Sequence, residues 1–137
     1  MRYTESNRGK IHNRERGRQI IDFSEIRYGN ITPTDLDGFF EKGNKIFVFY
    51  EYKLGDAEMP KGQMLALTRI VDGLNNAGKT AVLFLCRHEE YDTDKDIEGG
   101  EAIVDQVYWR NHWYKGKGYT VKEQTDKYMK WAEKLAT

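Results

Sequence analysis

This chain has few of the residues that staple or anchor a fold. Cys86 is its one cysteine, so an intramolecular disulfide and a cysteine-built zinc centre are both excluded. No apolar run approaches the roughly 20 residues of a membrane-spanning helix. The N-terminal stretch is polar and basic, unlike a signal peptide. A cytoplasmic protein without a membrane partner is therefore expected. Proline occurs twice, and there is neither an internal repeat nor a low-complexity tract. An excess of one charge is missing too: 22 Lys and Arg balance 22 Asp and Glu, which argues against a chain coated with basic residues.

What is present is an ordinary globular composition, 39% hydrophobic and 32% charged, with a 13% aromatic share that implies a core built partly from rings. At 137 residues a single domain is expected. Charge is balanced but uneven. Residues 1–18 carry six Lys or Arg against two Glu, residues 87–105 eight acids against two bases, and residues 106–122 four bases and no acid. Such segregation can give a neutral protein a local anion-attracting face.

The pattern along the chain predicts an α/β fold. A short basic helix is expected over 10–18, a strand at IIDF (20–23), and a connector over 28–35. Two strand-like runs in LDGFFEKGNKIFVFYEYK (36–53) flank Gly43-Asn44, a hairpin signal. The second run, Ile46 to Tyr50, is apolar on both faces, as in the middle of a sheet. Met64, Leu67, Ile70, Val71 and Leu74 trace one helical stripe, and AVLFLC (81–86) is again strand-like. Strands at 102–109 and 112–114, turning at Arg110-Asn111, should follow. Thr120-Val121-Lys122-Glu123 has the form of a capping box, opening a last helix with Val121, Tyr128, Trp131 and Leu135 as its buried stripe.

GLNNAGKT (73–80) matches the phosphate-loop pattern G-x-x-x-x-G-K-[ST] at every fixed position. A phosphate loop needs a strand before it and a helix starting at the Lys-Thr, so that backbone N–H groups and the positive helix end face the phosphates. Here the order is reversed. Gly78 is placed to end a helix and Lys79 to lie at its negative end, so P-loop nucleotide binding through Gly73–Thr80 is only an alternative reading.

The hairpin carries better chemistry. Asp35 and Asp37 precede its first strand, and Glu51 and Lys53 close its second. Side chains alternate along a strand, so Glu51 and Lys53 share a face while Tyr52 points away. A turn near Gly43-Asn44 brings Asp37 opposite residues 50–51. Two converging carboxylates repel, and a hard divalent cation such as Mg²⁺ resolves that repulsion. Lys53 adds a positive charge that can orient a water or stabilise charge developing on a phosphate.

Thr34-Asp35-Leu36-Asp37 followed by Glu51-Tyr52-Lys53 resembles the PD-(D/E)XK nuclease superfamily, of the small phage or bacterial type. The resemblance covers about residues 10–86. It implies a restriction-endonuclease-like αβββαβ core with a mixed sheet flanked by helices, here extended by C-terminal strands and a helix over 102–137. It implies Mg²⁺ (or Mn²⁺) bound by Asp37, Glu51 and the Tyr52 carbonyl, with Lys53 as catalytic lysine and Gln63 as the helix glutamine of some members. Asp35 shares the strand parity of Asp37. Asp37 is preferred because it directly precedes Gly38-Phe39-Phe40 and lies 14 residues before Glu51 (51 − 37 = 14). Glu15, or alternatively Glu25, matches the acid of the first helix. The implied activity is metal-dependent hydrolysis of phosphodiester bonds, with DNA as substrate; a non-catalytic nucleic-acid-binding module on the same fold is the alternative. Arg110, Lys115 and Lys117, interleaved with Tyr108, Trp109, Trp113, Tyr114 and Tyr119, are the candidate nucleic-acid-binding residues. The small size suggests a homo-oligomer or an accessory protein.

Overall fold

The computed structural model describes residues 22–136. The chain forms two compact units, 1–34 and 35–137. In the first, the Asp22 carboxylate accepts hydrogen bonds from the Ser24 N–H at 2.9 Å and the Ser24 hydroxyl at 2.7 Å. Tyr28 and Ile31 then exchange backbone hydrogen bonds across a tight turn. The helix expected over 10–18 lies outside the described residues, as do Ile20 and Ile21. Asp22 and Phe23 are not in a strand, which corrects the described half of the strand expected at 20–23.

The second unit is a five-stranded mixed sheet with a helix on each face. Its strands are β1 (Gly38–Lys42), β2 (Ile46–Leu54), β3 (Thr80–His88), β4 (Ile103–Trp109) and β5 (His112–Lys115), in that spatial order. Helix α1 (Lys61–Asn76) crosses from β2 to β3, which pair in parallel; the other neighbours are antiparallel. Helix α2 (Val121–Ala136) ends the described chain.

Local chemistry explains the connections. The Lys45 N–H donates to the Lys42 carbonyl across Gly43 (φ 61°) and Asn44 (φ 58°). Two left-handed central residues match the twist of the flanking strands. Arg110 (φ 47°) and Asn111 (φ 65°) join β4 to β5 in the same way. At α2 the capping box is complete: the Thr120 N–H donates to Glu123 Oε1 at 3.0 Å, and the Glu123 N–H to Thr120 Oγ1 at 3.1 Å.

The run 73–80 closes α1 and opens β3. Gly78 (φ 85°) donates its N–H to the Asn75 carbonyl and Lys79 to the Leu74 carbonyl, the paired bonds of a Schellman cap. Gly73 lies inside α1 and Thr80 begins β3, so no helix begins within this segment. The phosphate-loop geometry is not formed.

The two sheet faces bury separate clusters. Leu67 and Val71 of α1 pack with Phe49, Leu83 and Leu85. Val121 and Ala132 of α2 pack with Val48, Val82, Phe84 and Val104. Each such large side chain contributes about 1.5–3 kcal/mol on burial. Two expected stripes are rotated. Ile70 is exposed on α1, where Thr68 is buried. On α2, Trp131 and Leu135 are 39% and 55% exposed, and Ala132 takes the buried place. Its methyl group fits where the helix lies close to the sheet and an indole would not.

Candidate active site

Glu51, Lys53 and Gln63 meet beneath the first turn of α1. Odd-numbered residues of β2 face α1, so Glu51 and Lys53 emerge there, while Tyr52 packs on the opposite face. Glu51 is only 1% exposed, although it is a carboxylic acid inside an apolar sheet. Its Oε1 accepts a hydrogen bond from Gln63 Nε2 at 2.9 Å and lies 3.3 Å from Lys53 Nζ. Lys53 Nζ also donates to Gln63 Oε1 at 3.3 Å. Glu51 Oε2 is buried with no hydrogen-bond partner among the described residues.

Asp37 supplies the second carboxylate. Gly38 pairs with Tyr50 in the β1–β2 register, so Asp37 stands opposite Glu51 at the open end of the hairpin. The Tyr52 N–H donates to Asp37 Oδ2 at 2.7 Å and holds that side chain in place. The N–H and C=O of a strand residue point to the same neighbour, so the Tyr52 carbonyl also faces the Asp37 side, past the end of β1. Burial, first, and then the charge of Asp37 push the Glu51 carboxyl up to about 7, against the opposing pull of Lys53.

Asp35 is exposed, and no hydrogen bond or salt bridge joins it to Glu51, Lys53 or Gln63. Glu15 lies outside the described residues. Glu25 is exposed in a turn of the other unit, not in a helix. The basic residues are also apart from the carboxylates. Lys115 and Lys117 line a groove on the α2 face, and Arg110 stacks on Trp109 with 4.4 Å from guanidinium to ring centroid. Tyr108 and Trp113 belong to the α1-side core.

Arg87 is a neighbour that the sequence pattern does not single out. Register pairs it with Lys53 across β2 and β3. Its Nε donates to Asp105 Oδ2 at 3.2 Å, and its Nη1 donates to the Ala57 carbonyl in the loop before α1. It therefore ties down the segment that delivers Gln63. Only its place just after the apolar run AVLFLC could have drawn notice.

The donor set is all oxygen: two carboxylates and a backbone carbonyl. That set suits a hard cation such as Mg²⁺ or Mn²⁺. The unpartnered Oε2 beside Asp37 fits the same conclusion, because a buried carboxylate oxygen without a donor is costly. Among the described residues there is no group of three or more His, Cys, Asp or Glu that could hold a metal ion. No helix among the described residues is long and apolar enough to cross a membrane. Comparison with known proteins finds no similar family model, curated protein or solved structure.

Proposed function

We propose that this chain is a metal-dependent nuclease that hydrolyses phosphodiester bonds in DNA. One observation carries the reading: Glu51 is buried against Asp37 with one oxygen unpartnered, while its other oxygen is fixed by Gln63 and Lys53. An ordinary surface ion pair is solvated and does not bury its carboxylate against a second one, an arrangement that raises the Glu51 carboxyl.

In this reading Asp37, Glu51 and the Tyr52 carbonyl hold Mg²⁺ or Mn²⁺. Bound there, the cation supplies positive charge to the phosphate and makes a water more acidic. Lys53, 22% exposed at its side chain, reaches outward from Glu51 and offsets negative charge that grows on the phosphate. Gln63 holds the Glu51 and Lys53 heads at a fixed separation, so neither must reorganise during reaction. We read the β1–β2 hairpin, α1 and β3 as the later part of an αβββαβ core of the PD-(D/E)XK kind, although only two strands precede α1 among the described residues.

The test is cleavage of DNA by the purified protein in Mg²⁺ or Mn²⁺ against the same reaction in chelator. Lys53→Ala should keep the cation and lose the cutting. Equal cleavage by Lys53→Ala and the parent would defeat the reading.

A further inference from the structure

We infer that the groove between α2 and the β4–β5 edge binds an unpaired stretch of a nucleic-acid strand, on the opposite sheet face from Glu51. Its volume is about 480 Å³. The sheet separates the two places: Val82 and Phe84 on the groove floor belong to the α2-side cluster, whereas Glu51 and Lys53 face α1.

Two features select the occupant. The first is aromatic surface. Trp131, 39% exposed, stands 5.3 Å from Trp109 edge-to-face and 5.6 Å from Tyr128, ring centroid to centroid, and brings partly exposed ring surface to the groove wall. The second is charge. Among the described residues, Lys115, Lys117 and Lys127 line the groove and no carboxylate does. Lys127 Nζ sits 4.7 Å over the Tyr119 ring, which holds that cation at the rim.

An acyl chain would use the rings but not the lysines. An acidic peptide would use the lysines but gain little from stacked indoles. A nucleotide strand satisfies both: bases stack on Trp131 and successive phosphates meet the lysines. The ligand class rests on the nuclease reading; the groove geometry does not.

The experiment is anisotropy of a labelled short oligothymidylate titrated with Glu51→Gln protein in chelator, so that no cleavage consumes the probe. Binding that weakens as salt rises is expected, with Trp131→Ala reducing affinity about 5- to 100-fold. The charge-removing Lys117→Ala/Lys127→Ala pair should lower the slope of log affinity against log salt by about 1.4, roughly 0.7 for each phosphate contact to a single strand. Trp131 is partly exposed, and circular dichroism of its variant confirms folding. Unchanged affinity in both variants would overturn the inference. So would thymidine monophosphate binding as tightly as the strand, or a fully paired duplex binding in its place. Cleavage by the parent protein is read separately, so failure of this groove and failure of the Glu51 site are distinguishable.

Discussion

A single amide joins Glu51 to Lys53: Gln63 donates from Nε2 to Glu51 Oε1 at 2.9 Å and accepts at Oε1 from Lys53 Nζ at 3.3 Å. Gln63→Ala removes both links while leaving the acid and the base in the chain. Partners that orient ligands in this way are worth about 10- to 100-fold in activity. Single-turnover cleavage should fall by that amount in a variant that circular dichroism shows to be folded, with about 1–3 kcal/mol of stability lost because Glu51 Oε1 loses a buried hydrogen bond. Parent-like rates in this variant would reduce Gln63 to a bystander.

The raised Glu51 carboxyl has a stability consequence. Its folded value of about 7 lies above the ordinary value of 4.5, so the native state binds this proton more tightly than the unfolded chain does. The favourable contribution is complete below about pH 4.5 and is lost as pH rises toward 7. Metal-free protein should lose up to about 3 kcal/mol across that window. Glu51→Gln carries no titrating group there and should flatten the profile. Chemical denaturation in chelator at several pH values measures it; parallel profiles for the two proteins would contradict the assignment.

Cation binding has the opposite pH dependence. The Glu51 proton must leave before a cation is held, so affinity should climb as pH rises to about 7 and level off above it. At about a hundred times Kd, Mn²⁺ should add about 2.7 kcal/mol of stability in the parent. Calorimetry with Mn²⁺ alone, compared between the parent and Glu51→Gln, provides the check.

Gly116 tests the packing of the β4–β5 edge. A Cβ built there would lie 2.0 Å from the Val104 carbonyl oxygen, while the Gly116 N–H donates to the Asp105 carbonyl at 2.7 Å. Backbone cannot yield as a side chain can. Gly116→Ala should cost about 3 kcal/mol by denaturant titration.

Much of this was legible in the residues. Apolar runs, turn signals and helical spacing located all five strands and both described helices; β1 and β5 bury no residue fully, so their turns rather than a buried stripe mark them. The capping box at Thr120 and the cap at Gly78 were readable because their hydrogen bonds are local. Glu51, Lys53 and Asp37 could be brought together because a hairpin's register follows from its turn. Long-range facts were hidden. Arg87 meets Lys53 only through parallel pairing across a 16-residue helix, which no local signal encodes. Trp131 is as apolar as Ala132, and hydrophobicity alone does not say which of two adjacent helix positions faces a close-lying sheet. The basic residues 110–117 follow the carboxylates in sequence, yet the sheet puts Lys115 and Lys117 in a groove on the far face.

The most direct test compares the parent with Glu51→Gln on the same DNA in Mn²⁺, alongside the melting curve of each. The account predicts cleavage by the parent that stops in chelator. It predicts a loss of about a hundredfold to a thousandfold in a Glu51→Gln protein that is still folded. Cleavage by that folded variant at the parent's rate would contradict it.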